Sequence, residues 1–201
     1  MHLVPPKAAL EPSDAALVRA LHEQAPLAAS QLWERHSSLV RRILRRTLGP
    51  SADVEDAVQE VFLRLFRDIH NLREPNALRS FLIGIALHVA TSELRRRRAR
   101  RFLLLSNDGV TPEPEPVADA ERLEAREALR RLYLVLDRLG TRLRLAFVLR
   151  YVEGLELAEL SAVLGCSLAT TKRRVAAAAQ RVCRLAENDD VLARYLLARK
   201  S

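Results

Sequence analysis

"LELAELSAVLGCSLATTKRRVAAAAQRV" spans residues 155–182, and its spacing decides how the chain folds. Leu157, Leu160, Ser161 and Leu164 stand at i, i+3, i+4 and i+7, on one face of a short helix. Gly165 follows as a residue that turns left-handed without steric cost, and Ser167 is placed to cap a second helix. In that helix Thr171, Val175, Ala178 and Val182 should face inward, with Ala169, Arg173, Ala177 and Gln180 outward. Small Ser161 lets the two helices cross closely. This is the spacing of a helix-turn-helix whose second helix enters a DNA major groove.

Upstream of it, "EAREALRRLYLVLDRL" (124–139) and "TRLRLAFVLRYVEG" (141–154) read as helices separated at Gly140. Downstream, Val191, Leu192, Tyr195 and Leu196 have helical spacing and predict a short closing helix. Residues 106–121, "SNDGVTPEPEPVADAE", are rich in proline and acids and poor in large apolar residues, as an extended linker is. The expected domains are therefore 12–105 and 122–201, joined by a flexible linker over 106–121. Strand-type alternation is absent and glycines number only 6, so the fold class is all-α.

The first domain is helical nearly throughout. Ser13 suits the N-cap of "DAALVRALHEQ", and Pro26 the first turn of "PLAASQLWERHSSLVRRILRRTLG", which Gly49 and Pro50 close. "DVEDAVQEVFLRLF" starts at Asp53, with Val54, Ala57, Val58, Val61, Phe62 and Leu65 on one apolar face. Its other face carries Asp56, Gln59 and Glu60 with Leu63 among them, an odd place for a leucine. After the break "HNLREPNALRS", where Pro75 disfavours helix at Glu74, "ALRSFLIGIALHVATSELRRRRARR" runs from an apolar half into a basic end.

Composition narrows the function classes. Lys+Arg 33 against Asp+Glu 25 gives a net charge of +8 and a pI near 10.4, which points to a polyanionic partner. Nucleic acid comes first, an anionic membrane surface second. No apolar run approaches the roughly 20 residues of a membrane span, and "MHLVPPKAALEPSD" lacks the apolar segment of a signal peptide. Cys166 and Cys183 make no disulfide framework and have no histidine near them in sequence, so they read as small buried hydrophobes. No glycine-rich phosphate loop or nucleophile–base constellation is present. The expectation is a cytoplasmic protein, not an enzyme, with no cofactor and no metal.

The chain resembles the bacterial RNA polymerase sigma factors of the extracytoplasmic-function (ECF) type. The resemblance rests on "DVEDAVQEVFLRLF" and "LRSFLIGIALHVATSELRRRRARR" in the first domain and on "FVLRYVEGLELAELSAVLGCSLATTKRRV" in the second, and covers about residues 12–185. It implies two sigma domains, domain 2 and domain 4, with core RNA polymerase (its β′ clamp helices and β flap), promoter DNA and an anti-sigma factor as partners. By resemblance Asp56, Gln59 and Glu60 meet the basic clamp helices around Leu63, the apolar centre of a polar rim. Asn71, Arg79, Phe81 and His88 fall in the segment that traps unstacked bases of the minus-ten element. The run Arg95–Arg101, with Arg95 and Arg96 first, would lie near upstream phosphates; a solvated basic helix end is its plainer reading. Ser167, Thr170, Lys172, Arg173, Arg174 and Ala177 would face the minus-thirty-five element.

The sequence also departs from the family pattern. Phe81 stands where many relatives have tryptophan, His88 where many have asparagine and Leu87 where arginine is common. Ala176, Ala177 and Ala179 offer only methyl groups where relatives often carry large or basic side chains. A stand-alone helix-turn-helix regulator would account for the second domain but leaves Leu63 without a purpose. A sigma-like interaction protein without initiation activity would account for the departures.

Overall fold

In the computed structural model of the chain, residues 12–49, 54–103 and 120–198 are described. Helix α1 (Asp14–His22) starts at Ser13, whose hydroxyl accepts from the Ala16 amide at 3.2 Å. Helix α2 (Ala28–Leu48) begins two residues after Pro26, since Leu27 takes the N-cap position, and ends at Gly49, whose φ of 92° lies in the region glycine favours. Helix α3 (Val54–Asp68) buries all six residues of the expected stripe. Residues 51–53, where its N-cap would stand, lie outside the described residues.

The break after α3 holds two short 3₁₀ turns, Ile69–Asn71 and Pro75–Ala77, before helix α4 (Leu78–Leu103). Contrary to the expectation from apolar runs, α4 belongs to a segment, Pro75–Arg100, long and apolar enough by composition to cross a membrane. Its Leu78, Leu82, Ile83, Ala86, Leu87, Ala90 and Leu94 are instead buried in the helical core. Leu32, Ile43 and Leu44 of α2 and Val58, Phe62 and Leu65 of α3 share that core. Trp33, Phe62 and Phe66 form a ring cluster in it, with centroids 4.4 and 6.0 Å apart along the chain of contacts.

In the second half, α5 (Ala120–Asp137) and α6 (Thr141–Phe147) flank Gly140, and a π turn at Val148–Val152 ends the second of them. The linker expected over 106–121 lies outside the described residues, save that α5 already includes its last two positions. Helix α7 (Leu157–Leu164), Gly165 and helix α8 (Leu168–Glu187) make the helix-turn-helix. Gly165 is left-handed at φ 59°, and Ser167 Oγ accepts from the Thr170 amide at 3.3 Å. Helix α9 (Asp190–Ala198) closes the chain. Among the described residues there is no strand.

The two halves do not stand apart. Leu145, Ala146, Leu149, Leu155, Leu160 and Val175 belong to the same apolar cluster as the cores of α2, α3 and α4. Periodicity in sequence marks which face of a helix is buried, not what buries it, so this packing was invisible there.

Candidate nucleic-acid and protein interfaces

On α3, Leu63 is 66% exposed although its chain neighbour Phe62 is buried. Asp56 and Gln59 are exposed beside it, and Glu60 is partly so. Arg64 Nε holds the Glu60 carboxylate at 2.6 Å, one turn along the same helix. Glu55 is turned away: Arg41 of α2 holds it through two bonds of 2.7 and 2.8 Å, keeping its carboxyl below the usual range. The result is an apolar point inside a polar ring, the anatomy of a protein contact. A single exposed leucine is common; its setting is what marks this one.

A cavity of about 750 Å³ opens beside α4. Asn71, Phe81 and His88 line it, as do Arg64, Arg67 and Ser80. Phe81, Gly84, Ile85 and His88 follow helical spacing on one face of α4, so periodicity alone could have added Gly84 and Ile85. Arg64 and Arg67 come from the last turns of α3, and nothing in the sequence joined them to α4. An aromatic ring beside arginines and an imidazole is suited to stacking a base and holding its phosphate. Arg79 is not in this cavity; its guanidinium is bound to Glu159 of α7.

Arg95 and Arg96 also lie elsewhere. Both are exposed farther along α4, and Arg96 pairs with Glu93 at 3.0 Å. Glu93 also holds Arg97 at 2.8 Å and Arg100 at 3.6 Å, so one carboxylate gathers three of the basic run. Arg97 donates to the Leu48 carbonyl at 3.2 Å as well, and Arg98 to the Leu139 carbonyl. Much of the run is thus partnered within the protein. Arg95 has no protein partner among the described residues.

On α8, Ala169, Lys172, Arg173, Ala176, Ala177 and Gln180 are exposed. Thr170 is tied into the cap by Ser167, whose Oγ donates to Thr170 Oγ1 at 3.0 Å. Arg173 Nη2 approaches that same Thr170 oxygen at 3.4 Å, while its side chain stays exposed. Arg174 folds back on the turn and donates to Cys166 Sγ at 3.3 Å. Leu168, 45% exposed at the helix start, adds an apolar contact point outside the set expected from the sequence. Contrary to the expectation of two buried cysteines, Cys183 is exposed and Cys166 only half-buried. Cys183 follows Val182 just off the inward stripe, which explains its exposure. Among the described residues no group of three or more metal-ligating side chains comes together.

Known proteins share both halves in this order. Residues 32–100 match the family described as Sigma-70 region 2, and residues 129–182 match Sigma-70, region 4. The ECF RNA polymerase sigma factor SigE of Mycolicibacterium smegmatis is 32% identical over 82% of this chain and 64% of its own length. The ferric citrate uptake sigma factor FecI of Escherichia coli is 32% identical over 78% of this chain and 89% of its own. The ECF RNA polymerase sigma factor SigM of Mycobacterium tuberculosis is 32% identical over 87% and 85%. Among solved structures, CnrH in complex with the cytosolic domain of CnrY superposes with a TM-score of 0.63 at 26% identity, covering 88% of this chain and 99% of that one. The sigma factor RpoE from Bartonella quintana, in its complex with the anti-sigma factor NepR, has the same fold at a TM-score of 0.54 and 21% identity, over 80% and 97% of the two chains.

Proposed function

The chain belongs to the extracytoplasmic-function sigma factors of the sigma-70 family, and from that premise we propose how its two ends divide the work of promoter recognition. Residues 12–105 dock on the β′ clamp helices of core RNA polymerase through Leu63, Asp56, Gln59 and Glu60. The same domain receives minus-ten bases at Asn71, Phe81 and His88, with Arg79, Arg95 and Arg96 meeting phosphates around them. Residues 122–201, beyond a flexible linker over 106–121, read the minus-thirty-five element through α8. The polymerase itself, not this chain, adds nucleotides. Since RpoE of Bartonella quintana was solved with the anti-sigma factor NepR bound, an anti-sigma partner belongs to the proposal, as does a cytoplasmic place of work.

The observation that carries this reading is Leu63, exposed at the centre of a polar ring on a helix whose other face is fully buried. A stand-alone DNA-binding regulator has no use for that surface. Co-purification with core polymerase tests it: the chain should elute with core, and failure to do so would favour the regulator.

Two predictions arise at the DNA surfaces. Arg173 is exposed while Arg174 leans on the turn, so base reading falls to Arg173 and Lys172. Arg173→Ala should lose about 1–3 kcal/mol and relax preference at one base pair. Arg174→Ala should weaken binding evenly across sequences and lower the salt slope. Transcription from promoter variants by each mutant holoenzyme separates the two, and equal, sequence-independent losses would mean that another face of α8 reads bases. The free chain, for its part, should bind promoter duplex weakly and with little sequence preference, because the polymerase sets the spacing of the two sites. A salt titration of that binding should fall steeply; tight, specific binding at physiological salt would contradict the reading.

A further inference from the structure

Leu168 is the first residue of α8, directly after the Ser167 cap. Among the described residues of α7 and α8 it is the large apolar side chain left exposed, at 45%. The polar groups of the same turn are already engaged with one another. Ser167 Oγ accepts from the Thr170 amide at 3.3 Å and donates to Thr170 Oγ1 at 3.0 Å. Thr171 is buried, and its Oγ1 donates to the Ser167 carbonyl at 3.1 Å. What the turn offers to its surroundings is therefore the isobutyl group of Leu168 and the methyl of exposed Ala169. An exposed leucine alone is ordinary, but this one stands at the end of a recognition helix whose first residues meet base edges.

One turn farther on, Lys172 and Arg173 are exposed, four residues after Leu168 and Ala169 respectively. Each apolar group thus lies one helical pitch, about 5.4 Å, ahead of a cation. Base pairs stack about 3.4 Å apart, so that pitch spans between one and two of them. The next outward turn carries Ala176 and Ala177, both exposed. Large side chains there would prop α8 away from the groove floor. Methyl groups let it settle, which brings the first turn within reach of base edges. In the major groove thymine presents an apolar group, its C5-methyl, where the other bases present hydrogen-bonding atoms.

We propose that Leu168, with Ala169 beside it, selects a thymine in the minus-thirty-five element by packing on its C5-methyl group, one or two base pairs from the base that Arg173 reads. The inference rests on the major-groove reading of α8 above. Leu168 recognises its base by excluding water, not by hydrogen bonding. A cytosine at that position would set its polar N4 amino group against the isobutyl side chain and leave that donor without an acceptor. Arg173, whose commonest base partner is guanine, and Leu168 then read a two-part signature: a guanine with a thymine close beside it.

The test uses the full chain as holoenzyme with core polymerase, on the strongest promoter found by run-off mapping. Arg173→Ala first marks the base pair it reads, as the one where preference relaxes. Each thymine within two base pairs of it, on either strand, is then replaced by deoxyuridine, which removes the methyl and keeps the pairing edge. Competition binding by wild-type holoenzyme should weaken about fourfold at one such thymine, the effect of one buried methyl group. Leu168→Ala should weaken binding to the thymine promoter by a similar factor and be insensitive to deoxyuridine, so the two losses do not multiply. Leu168→Met, apolar and of similar volume, should keep the thymine preference. Should Leu168→Ala lose helix content by circular dichroism, Leu168→Gln, of similar length but polar, takes its place with the same readout. No thymine in that window, no loss with deoxyuridine, or the same deoxyuridine loss in Leu168→Ala as in wild type overturns the proposal. If Arg173→Ala relaxes preference at no base pair, the groove reading itself fails and this inference falls with it; if it does relax one, only this inference is at stake.

Discussion

Phe62→Ala is expected to destabilise the first domain by about 3–5 kcal/mol, the usual cost of emptying a large aromatic site in a core. Phe62 is buried against Trp33 at a centroid distance of 4.4 Å and against Phe66 at 6.0 Å. Its loss removes both ring contacts and leaves a hole between α2 and α3 that neither helix can close without moving the other. The sequence has one tryptophan, Trp33, in that cluster, so its fluorescence reports on this core during urea unfolding. A loss below about 1 kcal/mol would mean that α3 does not pack on α2 as described.

Leu63→Glu is expected to leave the fold intact and cost about 2 kcal/mol or more of core polymerase affinity, some thirtyfold. One residue on from Phe62, this side chain is turned about 100° around the helix, off the buried stripe, and is 66% exposed. A carboxylate there would be forced into the desolvated centre of the contact, without a partner of its own. Core affinity measured by fluorescence anisotropy, with circular dichroism alongside, reads the two effects apart. An unchanged affinity in a folded variant would remove this face from the mechanism.

The contrast between these neighbours was legible from the sequence because a helix sorts its residues by angle. All six stripe residues of α3 are buried, and Leu63 is not. The helix-turn-helix was equally plain, since Gly165 and Ser167 are local devices that need no distant partner. Long-range pairing was not readable. Arg46 and Glu153 are 107 residues apart, and each lies on a face that sequence alone gives to solvent. Arg144 did leave a trace: it precedes the buried Val148 by one turn, on a face otherwise apolar. An arginine there implies a buried partner, and it finds the Thr47 carbonyl and Asp137. Burial lowers its pKa while Asp137 opposes the shift, so the guanidinium stays charged at neutral pH. The π turn at Val148–Val152 has no sequence signature of its own, so the spacing there predicts only plain helix.

The central claim, that this chain directs polymerase to promoters, is tested most directly by sequencing run-off transcripts made on genomic DNA by purified core polymerase. Core with the wild-type chain should give a discrete set of start sites sharing upstream sequence at two positions, and core with Leu63→Glu should give few of them. Start sites no different from those of core polymerase alone, with a chain that binds core, would contradict the claim.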